Sequence, residues 1–306
     1  MTDIIEFDRF TDEVRKAVSD RYPESCVELR RVTKNNGVIY TGLTVRNEDE
    51  RIYPTMYLEG FYEESDEGRI SDELIDRICG IYESRRVPDA ALPGVLGDYD
   101  SIRGNLRCRL INRAANEEYL KDVVSRDFLD LAIVPYYLFD EGALSFDRGA
   151  DASFVIRRSN LDVWGVCEDK VLDDSISNTL GRDDICISGI YDVLRRLNPA
   201  FAVPDEETAG ACPMYVMTNG TSGGAISMID CGRLDEFCDS IGSDIYVIPS
   251  SISEVILVPR DDTAGEEMFD SMISEINETQ LDAVDVLSDH VYCFSRGKGY
   301  IERDSY

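Results

Sequence analysis

Histidine is almost missing from this chain, with His290 the only one among 306 residues. Any Ser-His-Asp relay or Cys-His pair must therefore use that single imidazole. No GxSxG elbow accompanies it. Asp289 is its neighbour, but adjacent residues on a strand face opposite ways. Cys293 follows three positions later, and sequence alone cannot bring the two into contact. Clustered zinc ligands are lacking too, since no CxxC pair occurs and the nine cysteines are scattered from Cys26 to Cys293. An odd, dispersed set with no secretory leader at MTDIIEFDRF reads as free thiols in a reducing cytoplasm, most of them small core residues. No window approaches the roughly 18 apolar residues of a membrane span.

Positive charge is also scarce: Lys and Arg number 31 against 61 Asp and Glu, a net charge of −30. The imbalance is steepest after residue 204, where 21 acidic residues face 5 basic ones. Such a segment repels nucleic acid and acidic membranes, so neither is an expected partner. Two readings of it stand: a surface that docks a basic protein, or a solubilising face.

What the chain has in quantity is β-branched and aromatic patterning. At 306 residues and 43% hydrophobic it can bury a sizeable core. The stretch SDIYVIPSSISEVILVPRDD, Ser243 to Asp262, holds two β-branched runs around Pro249-Ser250-Ser251. It predicts a hairpin at the centre of a C-terminal sheet, with VILV buried on both faces.

Elsewhere, Ile4 to Val18 has helical spacing. Two strands flank the turn Asn35-Asn36-Gly37, a third follows at Arg51 to Leu58, and a helix follows Ser71. Ile102 to Asn112 predicts a strand with Arg103, Arg107 and Arg109. These arginines read as countercharge for carboxylates, with a phosphate-binding patch as the alternative. Phe128 to Phe139 contains Pro135, which predicts a bulge or a broken strand. Asn116 to Val124, Asn160 to Leu180, Ile185 to Leu197, Leu234 to Ile241 and Glu266 to Thr279 read as helices. Ala152 to Ile156, Met214 to Thr218, Ala225 to Met228 and Val291 to Phe294 read as strands, and Ser295 onward as a polar tail.

The fold class is therefore α+β, with mixed or antiparallel sheets flanked by helices. The Pro- and Gly-containing stretches Pro88 to Asp100 and Val203 to Gly210 suggest units at 1–90, 91–204 and 205–306, the last of them acidic.

Remaining chemistry is sparse. The pairs Asp173-Asp174, Asp183-Asp184 and Asp261-Asp262 could bind a hard cation, but adjacent loop acids are ordinarily solvated and no EF-hand pattern is present. Asn219-Gly220-Thr221-Ser222-Gly223-Gly224 lacks the lysine of a phosphate loop and reads as a flexible hairpin loop, with backbone N–H groups open to an anion as the alternative. The best candidate site is a polar edge of Ser250, Ser251, Glu254, Asn277, Gln280, Asp289 and His290. Turn closure and capping explain the same residue types. No catalytic residue, metal ligand or cofactor is assigned. The favoured function is a non-catalytic cytoplasmic interaction protein. A carboxylate- or metal-dependent hydrolase or transferase near Ser250, Glu254 and His290 is the second reading.

The segments DFLDLAIVPYYLF, NLDVWGV, MYVMTNGTSGGAISMI, GSDIYVIPSSISEVILVP, INETQ and VLSDHVYCF, in that order, resemble an uncharacterised bacterial family, the domain of unknown function 5688, met mainly in anaerobic gut bacteria. The resemblance spans most of the chain and implies no activity. The family pattern has a histidine where this chain has Ser253, so no chemistry of that histidine carries over.

Overall fold

A computed structural model describes residues 2–47, 53–66, 68–84, 98–139, 153–181, 184–199, 213–249, 251–260, 273–275, 277, 279 and 281–303. Its sheets are antiparallel and its class is α+β. Two compact units emerge. The first combines Met1–Ile102 with Phe139–Ala152, and the second combines Arg103–Leu138 with Ser153–Tyr306. Most of the suggested linker at Pro88 and the whole of that at Val203 to Gly210 lie outside the described residues, as do Arg51 and the start of the helix expected from Glu266.

In the first unit, helix α1 (Thr2–Arg21) buries Phe10, Val14 and Val18, spaced four apart on one stripe. Strands β1 (Cys26–Thr33) and β2 (Ile39–Arg46) form the expected hairpin. Asn36 and Gly37 take φ of 59° and 72°, left-handed values that Asn and Gly tolerate best. Strand β3 (Thr55–Tyr57) pairs with β2. Short helix α2 (Glu59–Glu63), helix α3 (Asp72–Ser84) and helix α4 (Tyr99–Ile102) follow. Leu43, Val45, Met56, Ile75, Ile78 and Tyr82 complete the core over α1.

The second unit starts with β4 (Leu106–Asn112), α5 (Glu117–Leu120), β5 (Arg126–Phe128), β6 (Leu131–Leu138) and β7 (Ser153–Val155). Strand β6 pairs with β4 along one side without a skipped residue, so the expected bulge at Pro135 does not form. On its other side β5 reaches Ile133 and β7 begins at Tyr136. Pro135 occupies the gap between them, where its missing N–H costs no strand-to-strand hydrogen bond.

Helices α6 (Arg158–Trp164) and α7 (Glu168–Leu180) come next. Helix α7 closes the open edge of β4. Thr179 Oγ1 accepts from Cys108 N at 3.0 Å, and Asn178 Nδ2 donates to Leu106 O at 3.1 Å. This burial pushes the Cys108 thiol up to about 12.

The segment expected as one helix from Ile185 splits into strand β8 (Cys186–Gly189) and helix α8 (Ile190–Leu197), because Cys186 to Gly189 pairs with β9 (Tyr215–Thr218). Helix α9 (Cys231–Ile241) precedes β10 (Ile245–Ile248) and β11 (Val255–Pro259), the predicted central hairpin. With β12 (Tyr292–Phe294) and β13 (Ile301–Glu302) the sheet order is β13-β12-β10-β11-β9-β8. The polar tail thus contributes a strand.

Ala225 to Met228, expected as a strand, lies in a buried 3-10 turn, Gly224–Ile229, packed against β4, β9 and β11. The reason is crowding at Gly224, where a Cβ would overlap the Ser253 carbonyl oxygen and Thr218 Oγ1. An extended chain with side chains on both faces has no room there. Gly224→Ala is expected to lower stability by about 2–3 kcal/mol. Gly104→Ala, with nothing within 4 Å of the added methyl, leaves the melting temperature near the parent value. Equal melting temperatures for the two variants would contradict this account.

Candidate functional site

The polar residues near the C-terminus converge on a carboxylate that sequence reading did not single out, Asp130. It sits in the two-residue connection between β5 and β6, next to Leu129. Leu129 holds a φ of 57°, unusual for a branched apolar side chain. Asp130 Oδ2 accepts from Ser288 Oγ at 2.8 Å, and Oδ1 accepts from Tyr292 OH at 2.7 Å. Ser288 is 1% exposed and Tyr292 fully buried. Burial, reinforced by Asp130, raises the pKa of the Tyr292 phenol.

Ser288 Oγ also accepts from His290 N at 3.1 Å. Asn277, buried at 8% exposure, donates through Nδ2 to Ser288 O at 3.1 Å and to Asp289 Oδ1 at 2.7 Å. Asn112, at the end of β4, donates to Leu287 O at 3.0 Å. The segment 287–292 is therefore tied on one side to the four-stranded sheet and on the other to Asn277.

His290 faces a different partner. Its Nδ1 lies 3.2 Å from an Arg303 guanidinium nitrogen. Arginine can only donate, so Nδ1 accepts and a neutral ring carries its proton on Nε2. The Ser288 hydroxyl donates to Asp130 and not to this imidazole, so no Ser288–His290 relay forms. Cys293 is buried in a core cluster with Tyr246, Ile248, Val258, Ile273 and Val291, a structural position.

Of the predicted edge, Asn277 and Asp289 are brought together, and His290 joins them through the Ser288 hydroxyl. Ser251 serves the hairpin turn: its N–H donates to Glu254 O at 3.3 Å, and its Oγ accepts from Ser253 N at 3.1 Å. Glu254 enters through that carbonyl. The turn meets the other segment by backbone, with Ile252 N donating to Asp285 O at 3.0 Å. Ser250 and Gln280 lie outside the described residues.

In the loop Asn219–Gly224, Gly220 N, Thr221 N, Gly223 N and Gly224 N bond to oxygens of Thr218, Asn219 and Thr221, so these four N–H groups are not open to an anion, the alternative reading of this loop. Asp173 and Asp174 are taken up by Arg126 and Lys170 at 2.9 and 3.1 Å. Among the described residues no group of three or more His, Cys, Asp or Glu is placed to hold a metal ion. Asp130, Tyr292, Asn112 and Arg303 were missed. Asp130 reads locally as an ordinary turn former, and its partners are over 150 residues away.

Antiparallel sheets edged by helices, with their densest polar cluster committed to structural hydrogen bonds, define an α+β class without a named chemistry. A family model described as a family of unknown function, DUF5688, matches residues 7–296, and the chain belongs to that family. No curated protein and no solved structure matches it.

Ser288→Ala removes a buried donor to Asp130 and is expected to destabilise by about 1–3 kcal/mol, whereas His290→Ala costs far less. Denaturant titrations separate the two. Because the Tyr292 pKa is raised on folding, the stability it contributes is complete below the unfolded phenol value of about 10 and declines as pH rises above it. Tyr292→Phe should remove that part of the alkaline decline. An unchanged profile between pH 9 and 11 would contradict the assignment.

Proposed function

We propose that this chain is a non-catalytic interaction protein that docks a basic partner protein on the acidic surface of its second unit. The observation that carries this reading is a surplus of uncompensated carboxylates. On helix α9, Asp235, Glu236 and Asp239 make no ion pair among the described residues, and neither do Asp282, Asp285 and Asp289. Glu236, Asp239 and Asp282 are exposed. Their field reaches buried groups. The Cys238 thiol is pushed up to about 11 by burial and then by Asp244, Asp235 and Asp239. Asp285 is raised by burial and by Asp282.

The polar cluster around Asp130 supports the non-catalytic side of the proposal, since Ser288 and Tyr292 are engaged with a carboxylate and out of solvent. Eight described cysteines are free thiols, which supports a reducing cytoplasm. Among the described residues no helix is long and apolar enough to cross a membrane.

The test is binding of a lysine- and arginine-rich peptide, followed at several salt concentrations. Affinity should fall steeply with salt. Replacing Glu236, Asp239 and Asp282 by their amides should weaken binding by about tenfold. The control replaces Glu6, Asp8 and Asp20 in the first unit, which removes the same charge. An equal loss in both would show that net charge alone attracts the peptide, and the proposal would fall.

A further inference from the structure

An exposed strand edge invites pairing with another chain unless charge, proline or a covering element blunts it. Helix α7 covers the outer edge of β4. The edge strand β1 carries Glu28, Arg30 and Arg31, and the edge strand β13 carries Glu302. Strand β8 has no such protection. It ends the six-stranded sheet, and Cys186, Ile187, Ser188 and Gly189 bring neither charge nor proline. Among the described residues its backbone bonds to β9 and leaves its outer side open.

The phase of the ladder identifies the open groups. Ile190 N donates to Met214 O at 2.9 Å, and this pair continues the register of Gly189 with Tyr215. Bonded pairs alternate along an antiparallel ladder. Cys186 and Ser188 therefore bond to β9, while Ile187 and Gly189 turn their backbone groups outward. The Gly189 carbonyl is already engaged, because Gly189 caps α8 and accepts the first bond of that helix. The Ile187 N–H, the Ile187 carbonyl and the Gly189 N–H remain.

Helix α8 adds an unfilled apolar surface at the same margin. Ile190, Val193, Leu194 and Leu197 have the spacing of one helical stripe, yet none is buried and Leu197 is 77% exposed. The helix packs on β8 and β9, the last strands of the sheet. One more strand beyond β8 widens the surface beside this stripe.

We propose that β8 is a dimerisation edge, on which a second copy of this chain pairs its own β8 antiparallel across a two-fold axis at Ile187. Ile187 then exchanges both backbone bonds with Ile187 of the partner subunit, and the Gly189 N–H meets the carbonyl of Ile185 of the partner subunit. An axis at Ser188 instead aims the Ile187 N–H at the engaged Gly189 carbonyl. Charge favours a second copy as the occupant. Helix α8 holds Asp192, Arg195 and Arg196, a net positive element in a chain of net charge −30. The register sets Asp184 of the partner subunit opposite Ile190, at the positive N-terminal end of α8. Both halves of a two-fold contact gain this match at once, whereas an unrelated strand brings no such acid. The edge shares no residue with the acidic docking surface, so either proposal can fail alone.

Sedimentation equilibrium of the full chain at about 50 µM should give twice the chain mass. Leu197→Glu charges an exposed position, so the melting temperature of dilute protein should stay near the parent value while the dimer dissociation constant rises about tenfold or more. Ser188→Cys tests the register. Opposed residues of a non-hydrogen-bonded antiparallel pair stand about 4.5 Å apart at Cα, within reach of a disulfide. With the axis at Ile187, position 188 faces Cys186 of the partner subunit. Mild oxidation of Ser188→Cys should therefore give a covalent dimer, and adding Cys186→Ser should abolish it. Ser240→Cys, exposed on α9, should not cross-link. A monomer at every concentration up to about 200 µM would overturn the proposal in favour of an extended segment from another protein. A dimer indifferent to Leu197→Glu, a Ser188→Cys dimer that fails to cross-link, or cross-linking that survives Cys186→Ser would overturn it as well.

Discussion

The Asp130 carboxylate is the constraint on which the second unit depends. It accepts the hydroxyls of Ser288 and Tyr292 in a setting where two of its partners are out of solvent. Hydroxyls buried without an acceptor are unfavourable by about 1–3 kcal/mol each, so these bonds matter more for what their absence would cost than for what their presence adds. They join β6 of the four-stranded sheet to β12 of the six-stranded sheet. Asn112 to Leu287 makes the same join from β4. The left-handed φ at Leu129 fits this picture. An apolar branched residue holds an unfavourable backbone where the next residue must present its carboxylate to a partner sheet.

A second constraint is the management of open strand edges. Strand β4 ends its sheet, and α7 lays Asn178 and Thr179 along it so that Leu106 O and Cys108 N find partners. Strand β6 carries a proline where, on the side away from β4, neither β5 nor β7 reaches, so its missing N–H breaks no strand-to-strand bond there. The same logic of fitting a residue to a backbone vacancy recurs at Gly223 and Gly224, where the loop and the 3-10 turn come too close to Arg109, Thr218 and Ser253 for any side chain.

Local signals in the sequence carried far where local physics decided the outcome. The stripe of Phe10, Val14 and Val18, the Asn-Gly turn at 35–37 and the paired runs at 245–248 and 255–259 each announce their structure within a few residues. The misreadings arose where a distant partner decided. Cys186 to Gly189 has the spacing of a helix start but is claimed by β9. Ala225 to Met228 looks like a strand but is folded over by crowding at Gly224. The same division runs through the candidate site. Asn277, Asp289 and His290 could be gathered from nearness in sequence, whereas Asp130 could not, since nothing around it distinguishes a brace from a turn.

That separation has a consequence for how the chain comes into being. Asp130 is synthesised 158 residues before Ser288 and 162 before Tyr292. Throughout that interval β4 and β6 can pair and α7 can cover their edge, yet the carboxylate has only water for a partner. Strand β12 is also the neighbour of β10, so the central hairpin of the second sheet keeps an unpaired flank until the same residues leave the ribosome. Chain elongation at about 5–20 residues per second makes this wait on the order of ten seconds or more. Once β10 and β11 have paired, and until β12 is made, the nascent second unit also presents an open strand edge on β10. Completion of the six-stranded sheet is gated by one short stretch, Tyr292 to Glu302, that is made after its central hairpin.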